Sequence, residues 1–475
     1  MKMIARQKIW LAIVLTANVL LWAIPSDVVE CIARGQHVLV GRYSRTHFYW
    51  IVAVLLISIV SLYVDWSTGA TYRMRWFQVV AVLMFGIPTV IAVDFLLRTP
   101  DVEHYIRDRI AYHRPPHQEF RGEFVDRPEA ARSYPNAPPG YPAIGRTLRT
   151  DRFGFRNAVD AESCDIVALG DSFAEGSGVS DEHPWPVRLA VMSGRTVCNL
   201  GMSGYDPLHY LESLMEAGLP RRPRMVLCMI YEGNDFRSAK SDEKRRNPGF
   251  TEKWQEYAER SPLRRSLDSM FIRVFSSIGK DWPVPDAARI SWLPIALPTG
   301  PGAKHYAFEP KQLRDLLSTG EQFAADKHWL HPRGQLAEMN RLCRDAGCPF
   351  MVILAPTKAH VLMPAVADRL PPADVRDFTA ISFSGELPEA TQMVKTLVDR
   401  ADAKEQVIRQ WCERESIPFF SVTSSLRSAM VAGVQTYFTY DQHWTPEGHE
   451  VVARAIHEFL RDRLLGEAPG SPPTN

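Results

Sequence analysis

Two short stretches of this chain carry residue types that together can make and break an acyl bond: Gly170-Asp171-Ser172 and, near the C-terminus, Tyr440-Asp441-Gln442-His443-Trp444. A serine hydroxyl is a weak nucleophile until a base takes its proton. An imidazole base works best when a carboxylate fixes its tautomer. Residues two apart in an extended segment face the same way, so Asp441 can hold His443 by Nδ1 while Nε2 points at Ser172. The chain order is then Ser172, Asp441, His443. Taken alone, Gly-Asp-Ser fits an ordinary helix cap equally well. Of the 14 histidines most belong to surface or core. His449, one helical turn into the closing segment, is expected to be a structural hydrogen-bonder.

The elements that would carry these residues follow from the hydrophobic pattern. Ile166 to Leu169 is a continuous apolar run, as a parallel strand buried on both faces requires, and it delivers Ser172 to the strand's carboxyl end. Four more strands are expected at Thr196–Leu200, Met225–Tyr231, Phe350–Ala355 and Pro418–Val422. The second runs into Gly201-Met202-Ser203-Gly204 and the third into Glu232-Gly233-Asn234-Asp235. Helical patterns lie near Pro207–Ala217, Gly334–Ala346, Ala390–Glu415 and Glu450–Leu465. Alternating strands and helices make an α/β domain with a parallel five-stranded sheet, and three successive strands bring small or polar groups to one edge of it.

Gly-Asp-Ser, Asn-Leu-Gly-Met-Ser-Gly, Gly-Asn-Asp and Asp-Gln-His-Trp-Thr-Pro-Glu-Gly-His stand in the order of the blocks of the SGNH, or GDSL-type, hydrolases, which the chain resembles over roughly residues 150 to 465. The resemblance implies an SGNH-type three-layer fold with Ser172 as nucleophile and His443 as base. It places the oxyanion donors at the Ser172 and Gly204 N–H groups and the Asn234 amide. It requires neither metal nor organic cofactor. Two positions depart from the family pattern. The acid usually stands three residues before the histidine, where this chain has Tyr440, and the third block usually opens with glycine, where it has Glu232. The Asp-x-His-Trp spacing is similar to that of the SGNH-like domains of alginate-type polysaccharide O-acetyltransferases, and Ala355-Pro356-Thr357-Lys358 resembles a segment of such envelope proteins.

The remaining chain is uneven. Charge-free stretches at 9–26, 46–64 and 76–93 are each close to the roughly 20 apolar residues a bilayer span needs, so residues 1–98 are expected to form an all-α membrane region of about three helices. Lys2, Arg6, Lys8, Arg73 and Arg75 on one side against Arg34, Arg42 and Arg45 on the other favour a cytoplasmic N-terminus. An odd number of spans then puts the catalytic domain in the periplasm or outside the cell, with the bacterial inner membrane as host. Residues 99–150 form a Pro-rich tether, 151–467 the catalytic domain, 236–330 a cap insertion within it, and 468–475 a disordered tail. Trp254, Trp282 and Trp292 in the insertion would stack sugars or, twice as readily, pack a small helical subdomain.

Composition removes other classes. Lysine plus arginine (55) balance aspartate plus glutamate (54), so no basic field invites nucleic acid, and a mean hydropathy of −0.17 excludes a transporter of many spans. Seven cysteines form no Cys-x2-Cys or Cys/His cluster. In an exported domain Cys343 and Cys348 are the candidates for a disulfide, with two buried free thiols as the plainer reading, while Cys164, Cys198 and Cys228 should stay reduced. The function expected is a membrane-anchored serine esterase acting on O-acyl, foremost O-acetyl, groups of an envelope or extracellular glycan. The alternative is an O-acetyltransferase fed by a membrane acyl-donor protein, and the third reading is an inactive glycan-binding scaffold.

Overall fold

The structure, a computed structural model, describes residues 5–23, 37–39, 43–65, 67, 70–96, 106–107, 112–127, 137–236, 261–264, 266–267, 270, 292–299, 302–383 and 385–464. The chain divides into two units. One comprises residues 1–101, 128–137 and 250–291, the other residues 102–127, 138–249 and 292–475.

The described residues of the first unit include the helices α1 (Ala5–Ala23), α2 (Arg45–Asp65) and α3 (Ala70–Leu96). α2 packs against both α1 and α3. Polar side chains meet across these contacts: Asn18 Nδ2 donates to Ser58 Oγ at 3.0 Å, and Tyr63 Oη donates to Gln78 Oε1 at 2.8 Å. Large apolar side chains such as Phe77, Val82, Met84 and Phe85 face outward. Among the described residues one helix, over Ala70–Asp94, is long and apolar enough to cross a membrane; the apolar stretches Ile9–Ala23 and Trp50–Val64 are shorter. Pro88 sits inside α3 without ending it.

The second unit is built on five parallel strands: β3 (Ile166–Leu169), β4 (Val197–Asn199), β5 (Met225–Tyr231), β8 (Phe350–Ala355) and β9 (Phe419–Ser421), in spatial order β9-β8-β5-β3-β4. β3, β5 and β8 are buried at every position, which is why each is an unbroken apolar run. From β3 the chain moves outward to β4 and then returns past β3 to β5. The strand order therefore reverses at β3, and a crevice opens beyond its carboxyl end. Helices cover both faces: α5 (Trp185–Ser193) packs on the last helix, α15 (Pro446–Leu464), and α9 (Lys327–Asp345) packs on β8 and on α6 (Pro207–Ser213).

Several expected elements differ in extent. The helix expected from Gly334 begins at Lys327, where the Asp326 side chain caps it by accepting from His328 N at 2.9 Å. The single helix expected over 390–415 is two, α12 (Ala390–Asp399) and α13 (Ala403–Arg414). The segment expected as a tether carries strand β1 (Glu119–Phe124), paired antiparallel with β2 (Ile144–Arg149) in this unit. The described part of the expected cap holds an antiparallel hairpin, β6 (Leu293–Thr299) and β7 (Gly302–Phe308), then α7 (Pro310–Asp315) and α8 (Gly320–Ala325). Trp254, Trp282, most of residues 237–291, the loop with Arg34 and Arg42, and the 468–475 tail lie outside the described residues. The six described cysteines are buried free thiols, Cys343 and Cys348 included.

Candidate active site

Gly170 ends β3, and the next residues form a single helical turn, α4 (Ser172–Glu175). Asp171 caps it, its side chain accepting from Phe173 N at 2.9 Å, and Gly176 closes it in the left-handed conformation (φ 84°). Ser172 is thus the first helical residue, so its N–H has no partner within the turn. The loops after β4 and β5, the neighbours of β3 on either side, bring up Gly204 and Asn234. The Asn234 amide hydrogen-bonds Asp171.

His443 arrives from the loop before α15. Its Nε2 lies 2.7 Å from Ser172 Oγ and its Nδ1 lies 2.5 Å from Asp441 Oδ1. The three residues named from sequence therefore form one hydrogen-bonded relay. Phe173 braces the imidazole, with ring centroids 4.9 Å apart, and itself packs against Tyr231 at 4.1 Å and Trp444 at 4.8 Å. Burial alone would push the His443 pKa down; the Asp441 carboxylate, helped by Asp171 and Glu175, more than offsets it and holds it above the usual value. Burial opposes ionisation of Asp441 too, yet its contact with His443 brings it down to about 2. Asp171, wholly buried, is pushed up to about 6 by desolvation. Such perturbed neighbours are typical of reactive clefts.

Around this relay lies a layer that sequence reasoning passed over. Glu175 is buried, receives Arg114 Nε at 2.9 Å, and accepts from Ser203 N at 3.2 Å, so it ties the Gly204 loop to the turn that carries Ser172. Asn199 bridges the same parts, donating to Ala174 O at 2.8 Å and accepting from Gly201 N at 2.9 Å. Gly201 is required by close approach, since a Cβ there would stand 2.6 Å from Glu175 N. Asp235 accepts from Tyr210 Oη and Tyr231 N, both at 2.8 Å, which fixes the turn holding Asn234. Glu232, the departure from the family's glycine, accepts from Thr357 N at 2.7 Å and bonds His360 Nδ1 at 2.9 Å. It joins the turns after β5 and β8. His449 Nδ1 accepts from Trp185 N at 3.3 Å, a structural contact between α15 and α5. Trp292 packs edge-on against Tyr440, ring centroids 5.1 Å apart. Among the described residues no group of histidine, cysteine or carboxylate side chains is arranged to hold a metal ion.

No family model and no curated protein matches this chain. Solved structures that it is similar to include GDSL-type and SGNH hydrolases. A GDSL-like lipase from Bacteroides thetaiotaomicron shares 13% identity over 63% of this chain and 88% of its own, with a TM-score of 0.26. The lipase/acylhydrolase from Enterococcus faecalis shares 14% over 65% and 99%, TM-score 0.29. A catalytic mutant of an acetylxylan esterase from Geobacillus stearothermophilus shares 14% over 64% and 94%, TM-score 0.28.

Proposed function

We propose that this chain is a membrane-anchored SGNH-type serine esterase that removes O-acyl groups, foremost O-acetyl, from an envelope or extracellular glycan. The observation that carries the reading is the Ser172–His443–Asp441 relay at the point where the strand order reverses. In the acylation step Ser172 Oγ attacks the ester carbonyl carbon while its proton passes to His443 Nε2. The carbonyl oxygen becomes an oxyanion, stabilised by the N–H groups of Ser172 and Gly204 and by the Asn234 amide, each donor worth on the order of 10²- to 10³-fold. The tetrahedral species collapses, the C–O bond to the sugar breaks, and His443 returns the proton to the departing hydroxyl. Water activated by His443 then frees acetate from Ser172.

The anchor is read from the apolar helix Ala70–Asp94 and the shorter apolar stretches before it. With them go a bilayer partner, the bacterial inner membrane as site, and a catalytic unit on the periplasmic or outer side. A second reading is favoured by the Asp441-x-His443-Trp444 spacing: a polysaccharide O-acetyltransferase sharing the acyl-serine, with a membrane protein supplying the acyl group. The two differ in what attacks the acyl-enzyme, so an acceptor must outcompete water at about 55 M by orientation. The inert-scaffold reading fares worst, because a binding module needs no serine, base, acid and oxyanion donors together.

The test is incubation of the purified full chain in detergent with acetylated oligosaccharide, and separately with an activated acetyl ester plus labelled oligosaccharide. Free acetate released without acceptor supports the esterase. Label accumulating in the glycan faster than free acetate reverses the choice in favour of the transferase.

A further inference from the structure

The 112–127 segment, expected as part of a tether, lies in the same unit as the sheet and reaches into the site. Asp126, buried two residues beyond β1, directs its carboxylate at the loop that carries Asp441 and His443. Asp126 Oδ2 accepts from Thr439 N at 2.6 Å and Tyr141 N at 3.0 Å; Oδ1 accepts from Tyr440 N at 3.1 Å and Asp441 N at 3.0 Å. Three consecutive N–H groups thus converge on one carboxylate. On the other side of the same loop stands Lys358, with no exposed surface, at the start of α10 (Lys358–Val366). Its Nζ donates to Thr439 O at 2.9 Å, and Ala307 N of β7 donates to that same oxygen at 2.9 Å. The charged groups facing Lys358 are Asp126, Asp441 and Glu309.

A buried lysine and a buried aspartate cost desolvation free energy, and neither touches Ser172 or the reacting atoms. What they share is the 439–441 backbone. Asp441 and His443 are only two residues apart, so the angle at which the carboxylate meets Nδ1 depends directly on how that backbone is held. We propose that Asp126 and Lys358 are positioning residues that clamp residues 439–441 from opposite sides and so make the two-residue spacing of the acid and base workable. This role rests on the esterase reading given above.

The pair also sets charge. Lys358 is the cation beside Asp441; taking it away leaves the Asp441–His443 pair holding its proton more tightly. Desolvation pushes Lys358 itself down to about 8, still charged for the most part at neutral pH.

The experiment uses the full chain in detergent, p-nitrophenyl acetate as substrate and a fluorophosphonate probe to count competent Ser172. Asp126→Asn, which keeps the shape but swaps an acceptor for a donor, should lower kcat on the order of 10- to 100-fold with KM for this small ester unchanged. Lys358→Met should lower kcat and move the acid limb of kcat/KM to higher pH. The double variant should lose less than the product of the two single losses, because both act on one loop. If Asp126→Asn does not fold, Lys358→Met still decides through its pH profile. Unchanged kcat, or an acid limb that stays put in Lys358→Met, overturns the positioning role while leaving the esterase standing. A wild-type chain inert to both ester and probe overturns the esterase reading and this role with it.

Discussion

Asp441 Oδ1 receives both donors that His443 can offer it: the ring Nδ1 at 2.5 Å and the backbone N at 2.8 Å. One oxygen thus fixes the imidazole tautomer and the start of the turn that presents it. Asp441→Asn keeps an acceptor for the backbone, but its amide cannot serve the ring in the same way. It should lower kcat on the order of 10²- to 10⁴-fold, less than removal of Ser172 or His443, with the fold intact by circular dichroism. Full activity would mean that another acid supports the histidine.

Ser172→Ala removes one hydroxyl from a turn held by Asp171, Glu175 and Gly176, so thermal stability should stay within about 0.5 kcal/mol of the parent. Ester turnover should fall by on the order of 10⁴-fold or more, and fluorophosphonate labelling should vanish. Retained turnover would sink the acyl-serine mechanism.

The pH profile follows from His443. A general base must be neutral, and its pKa is raised, so kcat/KM should climb with pH through a value above the ordinary 6.5. Asp441→Asn should move that limb to lower pH. Stability runs the other way: a raised histidine pKa contributes stability that is complete below 6.5 and is lost as pH rises through the folded value. The Asp441 share is present above 3.8 and is lost as pH falls towards about 2. A thermal-shift series against pH, compared with His443→Gln, checks both signs.

Arg114→Met tests the link between Glu175 and the segment that leads into β1. Glu175 is wholly buried, and burial would raise its pKa were it not for Arg114, Ser203 and Arg156, which bring it below the usual range. Removing Arg114 leaves the charge largely uncompensated, at a cost of about 3–5 kcal/mol. Adding Glu175→Gln should recover much of that loss. A double variant no more stable than Arg114→Met would show that the pair contributes little.

The hydrogen-bonded arrangement of Ser172, Asp441 and His443 was legible because its constraints are local. Ile166–Leu169 must be apolar on both faces, the turn after it must admit a helix start, and Asp441 and His443 are two residues apart. The closing helix, expected from Glu450, begins a turn earlier at Pro446, whose fixed φ suits a first helical turn. What supports those groups was not legible. Asp126 sits in a Pro-rich run whose composition argues for a tether, and its partners at 439–441 are more than 300 positions away. The break between α12 and α13 leaves no mark in the sequence because the apolar period continues across residues 400–402. Glu232 was visible as an oddity, but its role needs His360 and Thr357, placed by a different strand.

Ser172 and His443 stand 271 residues apart in the chain, and α15, the last helix, packs on α5 through the His449–Trp185 contact. A ribosome that has released everything up to residue 435 has therefore made a serine with its turn and flanking loops but no base to deprotonate it. On the proposed mechanism the serine gains its base only once His443 has been made and the loop before α15 has docked. A chain cut short before His443 would leave Ser172 without its proposed base and should be silent towards esters.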